Sequence, residues 1–155
     1  GYGAAAAAAV WTAPASIAGL PALWRLMWSS TLLGATFLGA GYALSSFARR
    51  PSGAAGLAVG LWLGLVVLYD LALLALIVAD GGGGFTTEVL PVALLANPAD
   101  AFRLFNLSAA EATAAAAGVG GAAATIPLWQ SALSVLAWPL AALGLAIAAF
   151  RKVTP

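Results

Sequence analysis

The sequence predicts an all-α membrane protein, a polytopic bundle of about four spanning helices with short outer-side helices before the last span. The 155 residues are 63% hydrophobic and 7% charged, and the mean hydropathy is +1.02. A soluble domain of this length needs many more charges to cover its surface. The apolar residues also form long uncharged runs, and a helix of about 20 such residues can cross a bilayer. We therefore expect residues 1–155 to form a single membrane domain.

The first two spans are predicted at residues 4–21 and 31–48. The first is uncharged and rich in alanine, and we expect it to end near Pro21. Arg25 follows between two tryptophans, which is typical of a side chain anchored at the membrane interface. A pair of arginines at 49–50 closes the second span.

The third and fourth spans are predicted at residues 55–79 and 128–150. Ser52 is placed to cap the third span, and a run of four glycines ends it. Those glycines lack the Lys-Ser/Thr of a phosphate-binding loop, so they predict a turn. Arg151 and Lys152 close the last span.

Four of the six basic residues lie at the ends of the second and fourth spans. Because basic residues favour the cytoplasmic side, this pattern places the C-terminus in the cytoplasm and residues 80–127 outside. That outer segment is too apolar for an ordinary loop, so we expect three short helices that lie on or dip into the outer leaflet. The alternative is a loosely ordered loop rich in alanine and glycine.

The first outer helix is predicted at residues 87–96, and the third opens at a capping box, 108–111. The second carries the clearest helix signals in the chain. Asn97 is a good N-cap, Pro98 suits the first helical position, and Asp100 carries a carboxylate in the positively polarised first turn.

The second outer helix is also amphipathic by its spacing. Pro98, Phe102 and Phe105 recur at four and three residues, which places them on one apolar face. Asp100 and Arg103 are three apart on the other face and can form an ion pair.

The residue inventory excludes several kinds of chemistry. There is no cysteine or histidine and one methionine, so we expect no cofactor, no metal site and no catalytic residues. The net charge of +1 indicates no nucleic-acid partner.

Asp70 is the one ionisable residue deep within a predicted span, about 15 Å along the helix from Asp80. Such a carboxylate faces protein, water or a partner group. It can help gate a pathway, paired with Arg103 or with another helix, or it can make a structural hydrogen bond in a shallower span. A proton relay is not favoured, because the sequence shows no second acid or histidine beside it.

Gly56, Gly60 and Gly64 recur every four residues in the third span and permit close helix packing. Gly34, Gly39 and Gly41 form a looser set in the preceding span.

Two motifs resemble the C-terminal half of ABC-2-type transporter permeases. The segment 37–50, FLGAGYALSSFARR, is similar to a helix end shared widely in that family. The segment 95–107, LANPADAFRLFNL, is more specific and is most similar to the NosY-type membrane subunits of nitrous oxide reductase maturation transporters. Gly1 is not an initiator methionine, so we expect the chain to be the C-terminal part of a six-helix permease.

The resemblance implies a bacterial inner-membrane subunit that works as a homodimer with separate ATPase subunits and a periplasmic accessory protein. ATP-driven motion would then serve assembly of the copper centre of a denitrification enzyme. On that reading, the outer-side helix is the docking surface for the periplasmic protein, through Asn97, Asp100, Phe102, Arg103 and Phe105.

Three other functions stay open. The chain could belong to an ABC-2 exporter of another substrate, or to a membrane anchor or assembly protein unconnected to ATP. An intramembrane enzyme is the least favoured, because Asp70 and Asp100 are expected at different depths without a nucleophile or metal ligand.

Overall fold

The computed structural model describes residues 20–48, 50–107 and 126–153, and within these ranges it contains helices and turns but no strand. The predicted first span (4–21, apart from its last two residues), Arg49 and the capping box at 108–111 lie outside the described residues. The helices are α1 (Leu20–Ser45), α2 (Pro51–Leu63), α3 (Tyr69–Asp80), α4 (Leu90–Leu95), α5 (Pro98–Leu107) and α6 (Leu128–Val153). Two π-helical turns, Gly64–Leu68 and Phe85–Val89, join α2 to α3 and lead into α4.

Helix α1 begins eleven residues before the predicted span and runs through Arg25 without a break. Pro21 lies inside α1, and the rest of the predicted first span lies outside the described residues. Proline lacks the N–H that a first helical turn leaves unpaired, so Pro21 is compatible with a helix start. At its other end α1 stops at Ser45, three residues short of the prediction.

Among the described residues, two continuous helices are long and apolar enough to cross a membrane, Pro51–Asp80 and Leu128–Arg151. They correspond to the predicted third and fourth spans, and the first of them begins four residues earlier and ends one residue later than predicted, while the second ends one residue later. Ser52 does not cap the first of them, because the helix already begins at Pro51 with Arg50 in the cap position.

Helix α1 is the counterpart of the predicted second span. It has 26 residues and is long enough to cross a membrane, but its mean hydropathy is lower than that of the two helices above. It contains five serine and threonine residues, and each hydroxyl donates to a carbonyl three or four residues earlier in the helix. These bonds satisfy the hydroxyls within the helix, as an apolar environment requires.

Helices α1 and α6 form the most extensive contact in the described chain, and Gly39 lies at their closest approach. A Cβ atom at Gly39 would meet the Ala142 backbone and Cβ at 3.1 Å. A Cβ atom at Gly56, Gly60 or Gly64 would have nothing within 4 Å, so the close packing predicted for that stripe is not found among the described residues. The close contact between helices therefore forms at Gly39, a member of the looser glycine set, and not at the stripe of glycines spaced by four residues.

Replacing Gly39 with alanine should destabilise the chain, because the new methyl requires α1 and α6 to move apart by a few tenths of an ångström. We expect a loss of about 1–2 kcal/mol, measured as a lower unfolding temperature in detergent. Gly41→Ala is the matched control, since nothing lies within 4 Å of its added Cβ. Equal stability of the two variants would contradict this crossing.

The four-glycine turn forms as predicted after α3. Gly81 and Gly82 have φ of 59° and 90°, which glycine adopts without strain, and the Gly81 N–H donates to the Ile77 carbonyl. The Asp80 carboxylate accepts hydrogen bonds from the Thr86 N–H at 2.9 Å and hydroxyl at 2.8 Å. One side chain therefore closes the turn and directs the chain into the next helical segment, Phe85–Leu95.

Helix α5 is lodged between α1, α6 and the π-turn at Gly64–Leu68. Ala101 and Phe105 pack with Val135 of α6 in one apolar cluster, which Trp28 and Leu32 of α1 complete. A second cluster joins Leu104 to Ile126, with two leucines of α4 against it. The second of the predicted outer helices therefore forms, and it packs between longer helices.

Candidate functional site

The candidate site is the set of polar contacts that α5 makes with its neighbours, and it starts at Asn97. This side chain is fully buried. Its Oδ1 accepts a hydrogen bond from the Ala99 N–H at 2.9 Å, which is the N-cap predicted from the sequence. Its Nδ2 donates to the Leu65 carbonyl at 2.7 Å. One amide therefore caps α5 and binds α5 to the long helix Pro51–Asp80.

The Leu65 carbonyl lies within the π-helical turn that joins α2 to α3. A π-turn inserts one extra residue into a helix and disturbs the regular ladder of hydrogen bonds. Asn97 supplies an external donor at this irregularity. One residue after the turn, the Tyr69 hydroxyl donates to the Ala93 carbonyl of α4 at 2.8 Å. The irregular part of the long helix is thus held from two sides.

The charged part of the site is an ion-pair cluster of Asp70, Arg103 and Asp100. Arg103 Nη1 donates to Asp70 Oδ2 of α3 and, at 2.9 Å, to Asp100 Oδ1. The Asp100 side chain is only 4% exposed, whereas those of Arg103 and Asp70 are 45% and 36% exposed. The second Asp100 oxygen, Oδ2, is buried and has no hydrogen-bond partner among the described residues.

Burial and the nearby charge of Asp70 raise the pKa of Asp100 to about 7, against the opposing effect of Arg103. Burial tends to lower the pKa of Arg103, but the hydrogen bond and charge of Asp70, followed by those of Asp100, raise it overall. The guanidinium therefore stays charged at neutral pH, while the Asp100 carboxyl lies near its midpoint.

The far end of α5 is held against α1. The Arg25 guanidinium carbon lies 5.8 Å from the centre of the Phe105 ring, within cation–π range, and Trp28 meets the same ring edge-on at 5.2 Å. Asn106 Nδ2 donates to Ser29 Oγ at 3.0 Å. Arg25, predicted as an interfacial anchor, thus contacts α5, and its Nε is buried without a partner among the described residues.

Two predictions about these residues need correction. Asp70 and Asp100 do not lie at different depths, because both bind the same guanidinium. Asp100 pairs with Arg103 as predicted, but it is buried rather than on an open polar face. The cause is the position of α5 among the longer helices, which brings its first turn against α3.

The predicted docking residues divide into two groups. Asn97, Asp100 and Phe105 are buried within this chain, which leaves Phe102 partly exposed and Arg103 exposed. The latter two line an open cleft of about 400 Å³ between α1, α2 and α5, together with Phe37, Trp62 and Val66. Phe102 therefore contributes to an apolar cleft beside the ion-pair cluster.

Tyr69 and Ser29 also belong to the site, although neither was predicted as a site residue from the sequence. Tyr69 had a visible signal, since it precedes Asp70 in an otherwise apolar stretch and a buried hydroxyl needs a partner. The sequence around Ser29 gives no such signal, because the serine and threonine hydroxyls of a helix such as α1 commonly donate to carbonyls of their own helix.

The described residues contain no group of three or more histidine, cysteine, aspartate or glutamate side chains that could hold a metal ion. The polar groups of the site are amides, two guanidinium groups, one phenol, one serine hydroxyl and two carboxylates. They can join helices and balance charge.

The chain is similar to known proteins over nearly its whole length. The family model described as "ABC-2 family transporter protein" matches residues 2–154. A probable ABC transporter permease protein NosY from Pseudomonas aeruginosa is 47% identical over 156 residues, which cover 98% of this chain and 56% of that protein. The protein of the same name from Stutzerimonas stutzeri is 47% identical over 133 residues, covering 83% of this chain and 47% of that protein. The chain thus spans about half the length of these relatives.

Proposed function

We propose a function on the premise that this chain belongs to the ABC-2 transporter family: it forms part of the permease of an ABC transporter and leaves ATP hydrolysis to a separate subunit. The observation that carries the proposal is the match over residues 2–154. The absence of histidine and cysteine from the sequence agrees with a non-catalytic role.

The transporter is proposed to act in maturation of the copper centre of nitrous oxide reductase, as for the NosY-type permeases that the chain resembles. In that role the permease couples motion of a cytoplasmic ATPase to a periplasmic process. With one methionine and no cysteine or histidine, this part of the permease has few ligands for copper. We therefore propose that it transmits motion rather than binding copper itself.

Helix α5 is the proposed element of transmission. It contacts α1 through Asn106 and Ser29, and it contacts the long helix Pro51–Asp80 through Asn97 and Arg103. Any relative movement of those two helices must therefore displace α5 or break these bonds. The Asp70–Arg103 pair lies at the edge of the apolar cleft and is proposed as the gating contact.

The proposed orientation places Arg151 and the C-terminus in the cytoplasm, by the bias of basic residues, in a bacterial inner membrane. The proposed partners are an ABC ATPase, a periplasmic accessory protein and a second copy of the permease. The exposed faces of the long helices meet lipid and these partners; Pro51–Asp80 has only 6% of its most apolar stretch buried within the chain.

Affinity purification of the permease, co-expressed with the ATPase and the periplasmic protein encoded beside it, tests the proposal. Both partners should co-purify. Phe102→Asp should reduce recovery of the periplasmic protein several-fold without reducing recovery of the ATPase, with Phe102→Leu as the control that keeps an apolar side chain. Failure of any ATPase to bind would contradict the transporter role, and unchanged recovery with Phe102→Asp would contradict docking at α5.

A further inference from the structure

We propose that the cluster of Asp70, Arg103 and Asp100 is a proton-binding site, in which Arg103 binds both acids and Asp100 takes up and releases one proton. This inference does not depend on the transporter's substrate or on the proposed function. It revises the expectation that Asp70 has no acidic companion, because the fold places Asp100 on the same guanidinium nitrogen.

The balance of charge is the first support. Two carboxylates share one guanidinium, so the cluster carries a net charge of −1 when both acids are ionised. An uncompensated charge in an apolar surrounding is unfavourable and is commonly removed by a change of protonation. Binding of one proton makes the cluster neutral.

The geometry decides which carboxyl takes the proton. Asp70 is the more exposed of the two, and its Oδ2 accepts from Arg103. Asp100 is 3% exposed, and its Oδ2 is buried without a hydrogen-bond partner among the described residues. A bare carboxylate oxygen in that position is unfavourable, whereas a protonated one carries no charge. The proton is therefore assigned to Asp100.

The surroundings provide few other charges. Within α5 the first-turn position of Asp100 favours the carboxylate, but by less than its burial disfavours it. Tyr69 and Asp70 face it from the long helix, and the negative charge of Asp100 also acts on the Tyr69 hydroxyl. Helix α4 has no titratable residue, α6 has none before Arg151, and Arg25 of α1 lies over Phe105 at the other end of α5.

The pKa of Asp100, raised to about 7 by burial and by Asp70, agrees with this assignment. Since a free aspartate has a pKa near 4, the folded chain binds more protons than the unfolded chain between about pH 4 and pH 7. Folding stability should therefore be greatest at the acidic end of this window, fall as the pH rises through it, and level off above pH 7.

Infrared difference spectroscopy of the complete permease in detergent, titrated across this pH range, tests the site directly. We expect a protonated-carboxyl band with a midpoint near neutral pH that is absent in Asp100→Asn. In Asp70→Asn the band should persist, with its midpoint lowered by at least one pH unit, because Asp100 then becomes the sole counter-ion of Arg103. The neutral asparagine resembles the protonated acid, so Asp100→Asn should fold and should lose the decline in stability as the pH rises.

Several results would overturn the proposal. One is a wild-type spectrum without such a band near neutral pH, and another is a band that survives in Asp100→Asn. Misfolding of Asp100→Asn while Asp70→Asn folds would show that the native acid is ionised. A rise in stability on adding sodium or potassium at constant pH, with no carboxyl band, would show that a metal cation balances the charge.

Discussion

Replacing Asn97 with alanine is expected to lower the free energy of unfolding by about 3 kcal/mol. Loss of a helix cap costs about 1 kcal/mol, and a buried carbonyl left without its donor costs about 1–3 kcal/mol. Both losses occur together here, because the same fully buried amide caps α5 and binds the Leu65 carbonyl. Unfolding of the complete permease in detergent micelles measures the change.

Hydrogen–deuterium exchange separates the two contacts. Asn97→Asp keeps an oxygen for the Ala99 N–H but removes the donor to Leu65, so exchange should rise across residues 64–69 while the start of α5 stays protected. Asn97→Ala should increase exchange in both regions. Asn106→Ala is the control, since its amide contacts Ser29 and the Phe102 carbonyl of its own helix but not the π-turn. Equal exchange at residues 64–69 in Asn97→Ala and Asn106→Ala would refute the role of Asn97.

The helices and the cap of α5 could be predicted because their signals are local. Long apolar runs, the four-glycine turn and the Asn97–Pro98 pair each act within a few residues of themselves. An error arose where one residue has two compatible roles, because Ser52 could cap a helix or lie in its first turn.

The contacts of the site could be predicted only in part, because they depend on where α5 lies against other helices. The spacing of Asp100 and Arg103 was enough to predict their ion pair, since both are on one helix. The bond from Asn97 to Leu65 spans 32 residues and requires a π-turn that no residue type specifies. The glycine stripe shows the same limit, because small residues permit close packing without determining which helix approaches.

Helix α5 combines the roles of a structural wedge and a polar connector. Its apolar residues pack on α6 and α1, and its polar residues bind the long helix at the π-turn and one turn beyond it. π-turns are frequent at functional sites, and this one holds an extra residue in the register of the long helix. A shift of that register would withdraw the Leu65 carbonyl from Asn97 and move Asp70 relative to Arg103 together.

Arg103→Met is expected to destabilise the permease by about 2 kcal/mol at neutral pH. Removal of one partner from a fully buried ion pair costs about 3–5 kcal/mol, and the smaller value reflects the 45% exposure of the Arg103 side chain. The variant leaves the buried Asp100 carboxylate without a cation, so its stability should recover as the pH falls and Asp100 takes up a proton. Unfolding temperatures measured in detergent from acidic to mildly alkaline pH give the result.

The matched control removes the charges rather than the arginine alone. Arg103→Met combined with Asp70→Asn and Asp100→Asn has no charge in the cluster, so its stability at neutral pH should approach that of the wild type. This recovery would separate an electrostatic loss from a loss of packing, because the methionine is present in both variants. If the triple variant stays as unstable as Arg103→Met, the arginine stabilises the fold through its contacts in the cleft, and charge balance at α5 is refuted as the cause.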